Sequence, residues 1–124
     1  MSLKTPFSHC YRCRVQLDLC ICENFKSVAT QTRILVLMHW GELSCISNTG
    51  RLIPKMLSNS EIRYRGNPDR SPVQLEDMLK VPNTFVLYPA HTAKVLDDNF
   101  KKQLSTPANL IVIDGNWGQA SQMM

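Results

Sequence analysis

Three apolar segments stand out along the chain, and each is followed at once by polar or conformationally special residues. They are Arg33–Met38, Thr84–Tyr88 and Leu110–Ile113. Short aliphatic runs without polar alternation are typical of strands buried in a parallel sheet. We therefore predict three buried strands, with Arg33–Met38 at the centre of the sheet.

The connecting segments show helical spacing of apolar residues in three places. Ser47 or Asn48 is expected to cap a first helix, and Pro54 is expected to kink this helix or to mark its first turn. A short second helix is predicted near 75–79, within a loop that is rich in proline. A third helix is predicted within 92–104. Two lysines near its carboxyl end would interact favourably with the negative end of the helix dipole.

Strands that alternate with helices predict an α/β fold with a mostly parallel sheet. Glu61–Arg65 alternates apolar with charged residues and is expected to form an edge strand. In such sheets ligands bind beyond the carboxyl ends of the strands. One pocket is therefore predicted, fed by three loops: His39 with Glu42, Tyr88–Pro89, and Asp114–Trp117.

Four of the five cysteines fall within thirteen residues, as Cys10-X-X-Cys13 and Cys20-X-Cys22. Two close pairs joined by a short loop can surround one tetrahedral ion, so a structural zinc is predicted. Disulfides are a disfavoured alternative without an export signal, and a redox Cys-X-X-Cys motif would not need the second pair. His9 is a possible substitute ligand beside Cys10.

Composition narrows the class of protein. With 124 residues, 44% hydrophobic and 19% charged, the chain has room for one modest core. We expect a cysteine-rich zinc-binding segment over 1–28 and a single α/β unit over 29–124. The net charge of +4 fits a nucleic-acid partner without demanding one.

Neither a membrane span nor a secretory leader is evident in the sequence. We therefore expect no membrane partner and a cytoplasmic protein, or a nuclear one in a eukaryote. No obligate protein partner is evident.

The chain resembles the DTW-domain family, the tRNA-uridine aminocarboxypropyltransferases. Each matching segment is weak alone, but five occur in the right order and at similar spacing. They are the cysteine cluster, His39-X-X-Glu42, Asn48-Thr49-Gly50-Arg51-Leu52, Leu87-Tyr88-Pro89 and Asp114-Gly115-Asn116-Trp117.

This resemblance implies S-adenosylmethionine as a substrate, tRNA as the acceptor, and a fold related to the knotted SPOUT methyltransferases. The family transfers the 3-amino-3-carboxypropyl group to ring nitrogen 3 of a uridine, and methylthioadenosine leaves. Two departures stand out. Asn116 replaces the Thr of the family's Asp-X-Thr-Trp motif, and the family's later strands, which form the knot, are absent from a chain that ends at Met124.

The resemblance also suggests roles for the strand-end residues. Asp114 is the candidate base, Asn116 and Trp117 complete the catalytic motif, and Trp117 is expected to stack on the target base or on adenine. Gly115 lets the backbone approach the cofactor. Arg51 is expected to bind the methionine carboxylate or a phosphate. The other predicted contacts are Leu87, Tyr88 and Pro89 to the cofactor, and His39, Glu42, Asn48 and Thr49 to RNA.

Simpler interpretations remain open at this stage. Asp114 could only cap the following helix, and Trp117 could fill the core. His39 and Glu42 could form a hydrogen-bonded pair, and Tyr88–Pro89 could only end a strand. For the whole protein, the alternatives are a SPOUT-like RNA methyltransferase or a truncated, non-catalytic module that binds zinc and RNA.

Overall fold

A computed structural model describes residues 8–123 and contains one four-stranded sheet, all of whose neighbouring strands are parallel. The strand order is β2-β1-β4-β3. The prediction of an α/β fold with a parallel sheet is confirmed. The strands are β1 (Arg33–His39), β2 (Ser60–Arg65), β3 (Thr84–Leu87) and β4 (Asn109–Asp114).

The helices between the strands are short. No helix between residues 8 and 123 combines the length and apolar content that a membrane span requires. The α-helices are α1 (Ile53–Met56), α2 (Glu76–Leu79), α3 (Asp98–Lys102) and α4 (Trp117–Met123). The described part of the chain also contains four 3-10 turns, at Leu17–Leu19, Cys22–Asn24, Trp40–Ser44 and Gly50–Leu52.

The positions of the strands agree with the sequence pattern in three cases of four. β1 and β4 are the two central strands and β2 lies at an edge, as predicted. A strand is present near 84–88, as predicted, but the prediction that it is buried is wrong, because β3 forms the other edge and leaves Val86 and Leu87 exposed. An apolar run alone does not distinguish a central strand, which pairs with a neighbour along both edges, from an edge strand, which pairs along one.

The helix predictions are partly corrected. Pro54 does lie in the first turn of α1, and the short helix near 75–79 is present as α2. Asn48 Oδ1 accepts a hydrogen bond from the Arg51 amide at 3.4 Å, as a capping residue does, but the element that begins there is the 3-10 turn Gly50–Leu52, and α1 follows it. Within 92–104 only α3 is helical: the Asp97 carboxylate accepts a bond from the Phe100 amide at 2.8 Å and starts the helix there.

The two faces of the sheet receive different elements. Leu35, Leu37 and Ile111 point to one face, where they pack with Met78 of α2 and Met123 of α4. On the opposite face, Gly50 of the segment that follows β1 lies against Met38, and this segment lines a cavity together with Val36 and Val112. The connections after β1 and β4 therefore leave the sheet on opposite faces, and a crevice opens between the carboxyl ends of these two strands.

The β2 edge carries a network of four charges. The Arg63 guanidinium lies 2.6 Å from Asp77 and 2.9 Å from Glu61, and Arg33 lies 2.7 Å from Glu61. Hydrogen bonds from Arg63 hold the pKa of Asp77 well below its usual value, and the same arginine lowers the pKa of Glu61. Carboxylates with a depressed pKa stabilise the fold above their unfolded pKa, and this contribution is lost as the pH falls through the folded pKa.

Replacing Asp77 by asparagine is therefore expected to lower stability near neutral pH and to flatten the decline on the acid side. The free energy of urea unfolding, measured from pH 7 down to about pH 2, tests this, because the contribution of Asp77 is lost only below its unfolded pKa. Asp69→Asn is the matched control, because Asp69 is exposed and forms no ion pair within residues 8–123. Identical pH profiles for the Asp77 variant and the unsubstituted protein would contradict the expectation.

Candidate functional site

Asp114 ends β4 beside Met38 of β1, in the crevice between the two central strands. Its half-buried carboxylate accepts a hydrogen bond at 3.1 Å from Nδ2 of Asn48. The same Asn48 nitrogen donates to Oε2 of Glu42, also at 3.1 Å. One amide group thus uses both of its hydrogens to hold two carboxylates, a pairing that fixes their orientation.

Arg51 holds the loop that presents Asn48 and Glu42. Its Nη2 atom donates to the main-chain carbonyl oxygens of Glu42 at 3.1 Å and Cys45 at 2.8 Å. The buried Nε atom has no hydrogen-bond partner among residues 8–123. The side chain lies in the β1 loop, so the structure does not bring Arg51 together with Leu87–Pro89, its predicted companions in cofactor binding.

Asn116 begins α4 through a reciprocal pair of hydrogen bonds with Gln119. Its Oδ1 accepts from the Gln119 amide at 2.9 Å, and Gln119 Oε1 accepts from the Asn116 amide at 2.9 Å. This is a capping box, in which side chains three residues apart satisfy each other's backbone donors. The simpler interpretation of Asp114 as the helix cap is therefore wrong.

Trp117 is the first residue of α4 and is 78% exposed, so the suggestion that it fills the core is also wrong. Its indole borders a cavity of about 320 Å³ at the carboxyl end of the sheet. The structure gathers most of the predicted cofactor-binding and motif residues around this cavity. Its lining consists of Leu87, Tyr88, Pro89, Ile113, Gly115, Asn116, Trp117 and Ala120.

A second cavity, of about 410 Å³, lies on the other side of the end of β4. It contains Asp114 and three of the four predicted RNA-binding residues, namely Glu42, Asn48 and Thr49. Ile113 borders both cavities, so the strand end separates two adjacent spaces. A ligand in each would meet near Asp114 and Gly115, which is an arrangement suited to a reaction between two molecules.

His39, the fourth predicted RNA-binding residue, lies outside both cavities. Its Nδ1 atom accepts a hydrogen bond from the Gly41 amide at 3.1 Å. Glu42 is bound by Asn48 instead, so the alternative of a His39–Glu42 pair is wrong.

Gly50 supports the site in a way that the sequence reasoning missed. A Cβ atom at this position would lie far closer than 3.0 Å to Oδ2 of Asp114 and 3.2 Å from the methyl group of Met38. The glycine thus allows the 3-10 turn to pass directly against the carboxylate. A glycine directly after two polar residues such as Asn48 and Thr49 is a sequence signal for close backbone approach. The sequence does not show which residue the backbone approaches.

Gly50→Ala is therefore expected to destabilise the protein by roughly 1–3 kcal/mol, the range for overpacked positions. Thermal unfolding measures the loss. Gly118→Ala is the matched control, since its Cβ would meet only Asn116 Oδ1 at an ordinary 3.5 Å. Adding Asp114→Ala to the Gly50 variant should restore much of the loss by removing the clashing carboxylate. Unchanged stability of Gly50→Ala alone would contradict the described contact.

The four clustered cysteines form the second candidate site. The Sγ atoms of Cys10 and Cys22 are 3.7 Å apart, those of Cys13 and Cys20 are 3.8 Å apart, and all four lie within 4.8 Å of one another. These spacings exclude disulfides, whose sulfurs lie about 2.05 Å apart. Four sulfurs placed tetrahedrally at about 2.3 Å from zinc would be about 3.8 Å apart, so the cluster has the dimensions of such a site.

Backbone amides favour the thiolate of Cys10, whereas burial raises the pKa of the Cys22 thiol to about 12. Amide groups of Cys13 and Arg12 donate toward the sulfur of Cys10 and lower its pKa to about 6. The Arg12 amide lies 3.4 Å from that sulfur. His9 does not belong to the group of four, and its Nδ1 shares a 2.9 Å hydrogen bond with the Ser8 hydroxyl. The structure therefore supports an all-cysteine metal site.

Comparison with known proteins agrees with the motifs. The family model described as the DTW domain matches residues 7–124. Two curated relatives are named tRNA-uridine aminocarboxypropyltransferase 2: the one from Macaca fascicularis is 24% identical over 120 residues and the one from Mus musculus 26%. In each case the alignment covers 92% of this chain but 40% of the relative, so the chain spans about two fifths of the length of these relatives. No solved structure gives a significant match. Because the family model matches nearly the whole length of this chain, the chain belongs to the DTW-domain family.

Proposed function

We propose that this protein modifies tRNA by transferring the 3-amino-3-carboxypropyl group of S-adenosylmethionine to nitrogen 3 of a uridine. The names of its relatives support the reaction class. The observation that carries the proposal is the half-buried Asp114 carboxylate, held by Asn48 at a strand end that separates two cavities. One cavity would hold the donor and the other the target base.

The proposed step begins with the uridine imide, which is a poor nucleophile while protonated. Asp114 would accept the proton from nitrogen 3 as this nitrogen attacks the methylene carbon bound to the sulfonium. The new carbon–nitrogen bond forms as the carbon–sulfur bond breaks. Its electron pair returns to sulfur, so the sulfonium becomes the neutral thioether of methylthioadenosine.

The surrounding residues would position the two reactants. We assign the smaller cavity to the donor; it is lined by Leu87, Tyr88, Pro89 and Gly115, among others. The exposed Trp117 offers an aromatic face at its rim. Glu42 and Asn48 would act through Asp114 by holding its orientation. Thr49 stays a predicted RNA contact, as does His39. Arg51 stays a predicted anion ligand, although its Nη2 atom is bound to loop carbonyls.

For the metal site, we propose a structural zinc held by Cys10, Cys13, Cys20 and Cys22. Four sulfur ligands leave no open coordination position, so the ion would stabilise the segment rather than take part in transfer. The relation of the parallel sheet to SPOUT folds is likewise a proposal, as is the division at residue 28. Residues 1–7 of the cysteine-rich segment lie outside the described residues.

The decisive experiment incubates the longest expressed form that contains this chain with S-adenosylmethionine and an undermodified tRNA transcript. Nucleoside mass spectrometry should detect 3-amino-3-carboxypropyluridine together with methylthioadenosine. Appearance of a methylated base and S-adenosylhomocysteine would assign the protein to the methyltransferases instead. Calorimetry that detects no binding of S-adenosylmethionine would favour a non-catalytic module.

A further inference from the structure

A third cavity, of about 410 Å³, lies at the carboxyl end of β2 and has no assigned role. We call it the arginine groove. Because the strands are parallel, it opens at the same edge of the sheet as Asp114. β2 lies two strand positions from β4, which corresponds to about 10 Å at the usual strand spacing. The groove is lined by Tyr64, Arg65, Gly66, Asn67, Arg70, Ser71, Pro72, Val73 and Leu75.

The arginine groove carries positive charge without a carboxylate in its lining. Within residues 8–123, neither Arg65 nor Arg70 forms an ion pair. The nearby Glu61 and Asp77 are already paired with other arginines of the β2 edge. Asp69 is exposed beside the groove and does not line it. Within these residues the Arg70 guanidinium is therefore available to an anionic ligand, and the charge of Arg65 is not neutralised by a carboxylate.

Gly66 joins the arginine groove to the end of β1. Its backbone is left-handed, with φ of +88°, and a Cβ atom there would lie 2.9 Å from Nε2 of His39 and 3.3 Å from the ring of Trp40. The groove wall thus passes directly against the last residue of β1 and the residue that follows it. Trp40 and Tyr64 are both about 40% exposed, so aromatic faces accompany the arginines.

We propose that the arginine groove binds the phosphodiester backbone of the RNA strand on one side of the target uridine. Arg70 would contact a phosphate, and Tyr64 would offer a stacking surface to a neighbouring base. Arg65 would contribute charge while its Nη1 donates to the Met123 carbonyl. The identity of this RNA as tRNA rests on the proposed function. Arg70 and Tyr64 would thus provide RNA contacts in place of Glu42 and Asn48, which are bound to each other and to Asp114.

The test compares Arg70→Ala with Lys102→Ala, which removes the same charge from the exposed α3. Affinity of the 124-residue chain for an unmodified tRNA transcript is measured over a range of salt concentrations. Loss of one phosphate contact should reduce the salt slope by about one and weaken binding about tenfold at 0.1 M salt. Lys102→Ala should leave both unchanged, and Arg70→Lys should restore them because the charge is kept.

The outcomes separate the groove from the proposed chemistry. An Arg70→Ala variant with an unchanged salt slope would overturn the groove, whatever the transferase assay shows. Tyr64→Ala should weaken binding without changing the slope, since stacking releases no counterions. If the unsubstituted protein does not transfer the aminocarboxypropyl group but Arg70→Ala still reduces the salt slope, the proposed function is wrong and the RNA-binding groove is supported.

Discussion

Asp114→Asn is expected to lower the rate of aminocarboxypropyl transfer by about 10²–10⁴-fold, the usual contribution of a general base. The introduced amide keeps the size of the side chain and can still accept a hydrogen bond from Asn48, so the loop should stay in place. It cannot accept the proton of the uridine imide. The dissociation constants for S-adenosylmethionine and tRNA should therefore change little while the single-turnover rate falls.

The matched control for this substitution is Asp98→Asn, which makes the same chemical change on the exposed surface of α3. It should retain the full rate. Glu42→Ala should be intermediate, because it removes the second acceptor that holds the Asn48 amide in place beside Asp114. If Asp114→Asn retains the full rate, the base role is wrong. If Asp114→Asn lowers the melting temperature so much that the loss of folded protein accounts for the lost rate, the role of the carboxylate is structural.

The position of Asn116 explains why the departure from the family's motif does not disturb the strand end. The family's Asp-X-Thr-Trp pattern places a threonine there, and threonine is also a favourable helix-capping residue. Asn116 makes the same kind of contact through Oδ1 and is answered by Gln119. The substitution therefore preserves the start of α4, and with it the placement of Trp117.

The sequence predicted what depends on local pattern. The aliphatic runs identified β1 and β4, and the cysteine spacing identified a cluster that the structure brings together. The Asn-X-X-Gln capping box is also a local pattern, since its partners lie three residues apart in the sequence. Its geometry needed no tertiary information.

Contacts between distant loops were not predictable in this way. Asn48 lies 66 residues from Asp114, and only the path of the β1 loop brings its amide to that carboxylate. The positive charge of Arg51 predicted a role in binding an anion. The sequence does not show the loop carbonyl groups to which this side chain donates instead. The same reason explains the exposed β3, since burial depends on which strand lies beside it.

Removal of the metal is expected to have the largest effect on the cysteine-rich segment. Structural zinc in small modules contributes roughly 10–16 kcal/mol of binding free energy, which stabilises folds that have little core of their own. Within residues 8–28 the cysteines Cys10 and Cys13 are the only buried side chains, so little apolar packing would remain without the ion. The purified protein should contain one zinc per chain, and Cys13→Ala should release it.

Loss of zinc should unfold this segment but leave the parallel sheet, whose buried core is formed by residues of the strands and of α2 and α4. Amide hydrogen exchange distinguishes the two regions: protection should disappear over 8–28 and persist in β1 and β4. Cys45→Ser is the matched control, because Cys45 lies outside the sulfur cluster and should leave the zinc content unchanged. Purified protein with four free thiols and no metal would contradict the site. Exchange that spreads into β1 would instead show that the segment and the sheet fold as one unit.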